Sequence, residues 1–196
     1  MRPTLIEALK LLDRELANAQ TLYVCGGTAI SLRFRSRPTA DVDVIEPEVF
    51  GPLLAAAKRV AASEKGQHLG LNETWLNDHV GTIIKVSEVL PKDWKKNAER
   101  SGHLFKGQKL TVFALSKLDL LRTKLLSAIS PDRGADAVQD LDDICSLSVS
   151  EDDILFEESW LMKADQFYAA IPSRGREFYQ EFLRETVIKK IRGQTK

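Results

Sequence analysis

The segment CGGTAISLRFRSRPTADVDVI, residues 25–45, holds the two features that bear most directly on the fold of this chain. Gly26 and Gly27 stand between a short apolar strand and a predicted helix, TAISLRF. Asp41 and Asp43 then alternate with valines along a second predicted strand. Because successive side chains of a strand point to opposite faces, we expect both carboxylates on one face of a sheet, close to the glycine turn.

The glycines and the aspartates predict complementary parts of a binding site. Two carboxylates on one face repel each other unless a cation or hydrogen-bond donors lie between them, and Mg²⁺ or Mn²⁺ is the natural partner of such oxygen ligands. At the start of the helix, bare backbone N–H groups and the helix dipole favour a phosphate. Thr28 could add a hydroxyl donor. The combination predicts a site for a nucleoside triphosphate and its metal.

The same residues also allow a purely structural interpretation. Asp41 could cap a turn after Thr39, and Asp43 could face solvent on an edge strand. The two glycines could form an ordinary tight turn. A glycine pair and a D-x-D sequence are both common by chance, so the prediction depends on their occurring in this order and at this short distance.

The composition excludes several classes of protein. Lys and Arg together number 28, as do Asp and Glu, so the 196-residue chain has no net charge with which to attract nucleic acid or an anionic membrane as a whole. Two cysteines without C-x-x-C spacing argue against a disulfide framework or a zinc site. The N-terminus lacks a signal-peptide core, and no apolar run approaches the ~20 residues of a membrane span. We expect a soluble, cytoplasmic protein without a membrane partner.

Outside the central segment, the pattern predicts strands in the front half of the chain. Thr4 with Glu7 forms a capping-box signature for a first helix that is expected to end near Ala19. Pro47 is expected in the first turn of a helix through PEVFGPLLAAAKRVAAS. Strands are predicted in TLYVC, GLNETWL, GTIIKVS and a hairpin from HLF to KLTVFAL, with one turn of helix in PKDWKKNAER.

Helices are predicted to dominate the back half. Ser116 and Ser150, each followed three residues later by an aspartate, mark the starts of two of them. DAVQDLDDICSL and GREFYQEFLRETVIKKIR are also predicted to be helical. We therefore predict an α+β fold in which residues 1–115 form a mixed β-sheet flanked by helices, and residues 116–196 form a C-terminal helical region packed on that core.

Gly26 and Gly27, followed by RPTADVD at residues 37–43, resemble the signature of the polymerase-beta-type nucleotidyltransferase superfamily, in particular its AbiEii-like toxin branch. That branch carries a GG or GS turn and then R-x-T/S-x-D-x-D. It also has a lysine in a helix after the strands, and then an arginine-led segment that ends D-x-x-D. The similar segment here, LSKLDLLRTKLLSAISPDRGADAVQDLDDI, supplies Lys124, Arg133, Asp140 and Asp143. The resemblance spans residues 22–144 and is most specific in its first motif.

The resemblance implies a nucleotidyltransferase-like fold, a nucleoside triphosphate substrate, and Mg²⁺ or Mn²⁺ as the metal. The β- and γ-phosphates would be held at Gly26, Gly27 and Thr28. The metal would be ligated by Asp41 and Asp43.

Four further residues acquire roles through the resemblance. Lys124 would neutralise charge that develops on the triphosphate, and Asp140 would be an acidic group near the acceptor and a candidate general base. Arg37 and Thr39 would brace the aspartate loop of the cofactor site. Without the family pattern, Lys124 is an ordinary exposed lysine and residues 140–143 are a solvated acidic face.

The implied reaction moves a nucleoside monophosphate from the triphosphate to an acceptor hydroxyl. By analogy with the toxin branch, the acceptor would be RNA, such as the 3′ end of a tRNA, and a cognate antitoxin would be a partner. A small-molecule acceptor also remains open. The segment KDWKKNAER, residues 92–100, could contact RNA through its cations and Trp94, although such a segment is more often a solvated face with one buried tryptophan.

The sequence departs from the superfamily in one respect. Many members place a third carboxylate on a later strand that faces the first two. The candidate strand here, GTIIKVSEVL, has Lys85 at its centre and Glu88 only at its end. Either Asp140 replaces that ligand, or the metal site is incomplete. The alternative function is therefore a catalytically inactive nucleotide-binding or protein-interaction domain on the same fold.

Overall fold

The computed structural model describes residues 3–34, 39, 41–86, 90–130, 134–168 and 174–194. These residues divide into two units, and the chain passes from the first to the second between Ser116 and Lys117. Every strand among the described residues belongs to the first unit, whereas the regular elements described in the second unit are all helices.

The described residues of the first unit form six helices and five strands. Its helices are α1 (Pro3–Glu15), α2 (Gly26–Phe34), α3 (Gly51–Ala62), α4 (Glu64–His68), α5 (His79–Val86) and α6 (Trp94–Arg100). Its strands are β1 (Gln20–Val24), β2 (Val42–Glu46), β3 (Leu76–Asn77), β4 (His103–Lys106) and β5 (Leu110–Ala114).

The five strands form one mixed sheet in the order β3-β2-β1-β5-β4. Strand β1 lies at the centre, where it pairs antiparallel with β2 and parallel with β5. Strand β3 runs parallel to β2 at one edge, and β4 forms an antiparallel hairpin with β5 at the other. An α+β fold with a mixed sheet is thus confirmed, and so is the predicted hairpin.

The apolar residues of α1 seat this helix in the core of the first unit. Leu9 and Leu12 are fully buried, and Leu5 and Leu16, the residue that follows the helix, nearly so, which is the alternating i+4 and i+3 spacing of one helix face. The helix ends at Glu15, four residues before the predicted end. Trp75 is also fully buried, and its indole N–H donates to the carbonyl of Ala57 at 3.0 Å.

Two predictions in the front half were wrong. Residues 81–86 of GTIIKVS belong to α5 rather than to a strand, because a short apolar run has no periodicity that separates strand from buried helix. Gly81 allows this packing, since a β-carbon there would collide with the carbonyl oxygen of Val44 in β2. Of GLNETWL, only Leu76 pairs as a strand.

The start of α3 also differs from the prediction. The helix begins at Gly51, so Pro47 lies before it and Pro52 occupies the first turn. A proline is well tolerated there because the first helical N–H groups have no partner within the helix. The predicted helix in residues 94–100 is confirmed as α6.

The second unit contains helices α7 (Lys117–Ile129), α8 (Asp136–Ser146), α9 (Glu151–Phe156), α10 (Glu158–Tyr168), α11 (Arg176–Glu181) and α12 (Lys189–Gln194). A π-helical segment, Phe182–Ile188, joins α11 to α12. The predicted capping box at the start of α9 is confirmed, because Ser150 Oγ accepts the N–H of Asp153 and the Asp153 carboxylate accepts the N–H of Ser150. No helix of the described residues is both long and apolar enough to cross a bilayer.

Candidate functional site

The glycine turn and the aspartate strand meet at the start of α2. Gly26 has a φ of +64°, in the left-handed region that favours glycine. A β-carbon at this position would collide with Oδ2 of Asp43. The N–H of Cys25 donates to the carbonyl of Asp43 at 3.0 Å, which joins the end of β1 to β2. The carboxylate of Asp43 therefore lies directly against the bare backbone of the turn.

The second aspartate is tied to the same helix by its backbone. Thr28 is buried in the first turn of α2, and its hydroxyl donates to the carbonyl oxygen of Asp41. The hydroxyl of Thr39 donates to Asp41 Oδ1 at 2.6 Å. Thr28 and Thr39 thus both bind Asp41 in the aspartate loop, and bracing this loop is the role predicted for Thr39. Arg37, for which the same role is predicted, lies outside the described residues.

The two carboxylates differ in their surroundings. Asp41, the residue before β2, is exposed, whereas Asp43 is half-buried within the strand. The side chain of Val42, between them, is completely buried, as strand alternation requires. The site therefore has one carboxylate fixed against α2 and one at the solvent boundary.

The neighbour of Asp43 on the next strand is an amide rather than an acid. In the parallel pairing of β2 and β3, Asp43 is in register with Asn77. Asn77 Oδ1 accepts the N–H of His79 at 3.2 Å, and Asp78 Oδ2 accepts the N–H of Val49 at 2.8 Å. The expected strand with Lys85 and Glu88 does not form: residues 81–86 are helical, and Glu88 lies outside the described residues.

Sequence reasoning missed Asn77 because its position beside Asp43 is a matter of long-range pairing. Thirty-odd residues separate the two in the chain, and no local pattern sets their register. The available signal is the polar pair Asn77–Asp78 directly after the buried Trp75–Leu76, which marks the end of a strand.

Lys124 and Asp140 meet in the second unit. The ammonium of Lys124 lies 2.7 Å from Asp140 Oδ1 and 2.7 Å from Asp143 Oδ2. Ser127 Oγ donates to Asp140 Oδ2 at 2.7 Å. Lys124 is 7% exposed, and Asp140 and Asp143 are each 1% exposed. The three charged residues are thus a buried cluster between α7 and α8, not a solvated face.

The cluster constrains what these residues can do. Buried charges are tolerated when they are paired and hydrogen-bonded, and each member here has such partners. For Lys124 to contact a phosphate, its ammonium would have to give up one of its carboxylates. Asp142, by contrast, is exposed and pairs with Lys190 at 2.8 Å, so only part of the acidic run faces water.

The donor set at the glycine turn fits Mg²⁺ that arrives with a triphosphate. Mg²⁺ usually takes one or two protein carboxylates and fills its octahedral shell with water and substrate phosphates. Asp41 and Asp43 supply two carboxylates, and the described residues contain no group of three or more His, Cys, Asp or Glu side chains suited to a metal. These residues would therefore share the ion with the nucleotide rather than enclose it.

No family model, curated protein or solved structure matches this chain. Its likeness to nucleotidyltransferases consequently rests on the residues quoted above. The structure itself establishes a mixed α+β arrangement with a five-stranded sheet.

Proposed function

We propose that this protein is a nucleotidyltransferase-like enzyme that uses Mg²⁺ or Mn²⁺ to transfer a nucleoside monophosphate from a nucleoside triphosphate to an acceptor hydroxyl. The observation that carries the proposal is the packing of the Asp43 carboxylate against Gly26 at the start of α2. This packing supports the proposal because a carboxylate that could ligate a metal then lies beside backbone N–H groups that favour a phosphate.

Different residues of this site would bind the substrate and the metal. The N–H groups of Gly27 and Thr28 would bind phosphate oxygens, and Asp41 and Asp43 would hold the metal. Bound Mg²⁺ supplies neutralisation of the triphosphate charge and makes the acceptor hydroxyl easier to deprotonate. The acceptor oxygen would form a bond to the α-phosphorus as its proton passes to a base, for which Asp140 is the candidate, and the bond between the α-phosphorus and the bridging oxygen would break to release pyrophosphate.

Other parts of the proposal rest on the resemblance alone. These are RNA as acceptor, including the 3′ end of a tRNA, a toxin role in the cytoplasm, and a cognate antitoxin. The assignment of Lys124 to the triphosphate and of Asp140 to the acceptor has the same basis. The two side chains contact each other in the structure, so Asp140 would act as a base only after Lys124 moved from it.

Nucleotide transfer can be tested directly. The purified protein is incubated with Mg²⁺, each labelled triphosphate in turn, and total RNA. We expect label transfer that is lost in Asp43→Asn, which keeps the shape of the side chain but removes its charge. Asp78→Asn is the matched control, because Asp78 accepts the N–H of Val49 and can do so as an amide. Equal transfer by wild type and Asp43→Asn would contradict the proposal.

A second function, a nucleotide-binding or protein-interaction domain without turnover, is favoured by the amide next to Asp43. Asn77 contributes no charge to the site, so the metal would be held less tightly than by three carboxylates. Calorimetry separates the two functions. Binding of a triphosphate with Mg²⁺, without label transfer to any acceptor, would support the non-catalytic domain.

A further inference from the structure

Each aspartate of the candidate metal site has one carboxylate oxygen that is already in contact with the protein. The hydroxyl of Thr39 donates to Oδ1 of Asp41 at 2.6 Å. Oδ2 of Asp43 lies against the backbone of Gly26, in the space that a β-carbon there would need. Each side chain would therefore bind a metal ion mainly through its other oxygen.

Two such ligands suit one metal ion better than two. In a two-metal site the ions lie about 3.5–4 Å apart, and a carboxylate that bridges them binds one ion through each oxygen. To bridge, Asp41 would have to give up its bond to Thr39. Asp43 would have to move away from Gly26. A single Mg²⁺ that arrives with a triphosphate needs one or two carboxylates, which the two aspartates provide without rearrangement.

Asn77 occupies the neighbouring position of the sheet, from which a further ligand could come. It is in register with Asp43 in the parallel pairing of β2 and β3, and adjacent strands lie about 4.8 Å apart. Its Oδ1 accepts the N–H of His79 at 3.2 Å, in the turn that begins α5. The amide oxygen, which is the atom of this side chain that can bind a metal, is therefore engaged by the backbone of its own turn.

The nitrogen of the same amide is unsuited to a cation. Nδ2 of Asn77 carries two N–H donors and no acceptor, and their partial positive charge repels a metal ion. A carboxylate at this position would instead attract one. Within the described ranges, no group of three or more His, Cys, Asp or Glu side chains is placed to hold a metal. The amide therefore separates this site from one with three acidic ligands.

We propose that Asn77 restricts the site to one Mg²⁺ or Mn²⁺ ion, which arrives with the triphosphate. The inference rests on the proposed function, because it concerns the metal of the same reaction. It differs from the two-metal arrangement, in which separate ions stabilise the attacking and the leaving oxygen. Nucleotide transfer by the wild type would then depend on the Mn²⁺ concentration as a single binding event, with a Hill coefficient of about 1.

The number of ions can be counted without any reaction. Native mass spectrometry is applied to the protein with Mn²⁺ and the α,β-methylene analogues of ATP, CTP, GTP and UTP in turn, which cannot transfer their α-phosphate. We expect one Mn²⁺ in the wild-type complex and two in Asn77→Asp. Two adjacent ions should also show magnetic coupling in the electron paramagnetic resonance spectrum of the variant. Asn72→Asp is the matched control, because Asn72 accepts the N–H of Thr74 in a similar turn, and it should bind one ion.

Two results would overturn the inference and leave the proposed function standing. One is a wild-type complex with two Mn²⁺ ions, which would require a further ligand from elsewhere in the chain. The other is a single ion in Asn77→Asp, shown to be folded by circular dichroism. If this variant does not fold, the wild-type count still decides whether the site takes one ion. Failure of the wild type to bind Mn²⁺ with any of the four analogues would refute the proposed function itself.

Discussion

Gly26 and Asp43 occupy adjoining positions in which the carboxylate fills the space that any β-carbon of residue 26 would need. The contact links the first turn of α2 to the start of β2, two elements that are separated in sequence by the aspartate loop. It also makes the glycine a requirement of the site rather than of the turn alone.

Replacement of Gly26 by alanine should therefore lower the free energy of unfolding by more than the strained backbone conformation alone explains. A non-glycine residue in this conformation costs about 1–3 kcal/mol, and displacement of Asp43 adds to that. Gly70→Ala is the matched control, because Gly70 has a φ of +71° and nothing within 4 Å of an added β-carbon. Urea unfolding of both variants measures the difference. Equal losses of stability would show that Asp43 can move aside freely.

Asn77→Asp should strengthen metal binding at the candidate site. The aspartate can still accept the N–H of His79, so the change mainly adds a charge beside Asp43. We expect Mn²⁺ to bind at least about tenfold more tightly, as measured by calorimetry without nucleotide. Asn72→Asp is the control, since Asn72 makes a similar turn by accepting the N–H of Thr74. The same gain in both variants would contradict a metal site at Asp43.

The buried charge cluster of the second unit should be sensitive to the loss of any one member. Lys124→Met leaves the carboxylates of Asp140 and Asp143 without the ammonium, which should reduce stability by about 3–5 kcal/mol. Lys190→Gln removes an ion pair between α12 and the exposed Asp142 of α8, and it should reduce stability by less than about 1 kcal/mol. Thermal and urea unfolding report both. A loss of stability of similar size in the two variants would mean that the buried charge cluster contributes no more to stability than the exposed ion pair does.

Asp13 should make the first unit acid-sensitive. Its carboxylate accepts the N–H groups of Gln108, Lys109 and Leu110 at 2.7–3.1 Å, in the turn between β4 and β5. Burial raises its pKa, but these donors and the charge of Lys109 outweigh burial, so the pKa lies below its ordinary value of 3.8.

The stabilisation from Asp13 is therefore present above the unfolded-state pKa and is lost as pH falls through the lower folded-state value. Asp13→Asn should reduce stability at neutral pH by about 1.5–3 kcal/mol and flatten the decline toward acid. Urea unfolding across pH measures both effects. The control, Asp93→Asn, changes an exposed residue whose side chain makes no cap hydrogen bond at the start of α6, and it should leave the profile unchanged. An identical profile for Asp13→Asn and wild type would refute this account.

Local chemistry explains which parts of the fold were predictable. The glycine turn, the alternation in β2 and the capping box of α9 depend on residues a few positions apart, so their interactions can be inferred from spacing. Helix α5 escaped prediction because its apolar run is as compatible with a strand as with a helix. Its conformation depends on the contact of Gly81 with β2, which is not local.

The sequence by itself therefore determined an α+β chain in which two glycines precede a pair of alternating aspartates. Only the tertiary structure decided what lies beside those aspartates: Gly26 against Asp43, Thr28 on the carbonyl of Asp41, and Asn77 in register on the next strand. It also decided that Lys124 is buried among carboxylates rather than exposed. The physical reason is that periodicity and capping act within a few residues, whereas strand register and burial depend on packing between distant segments.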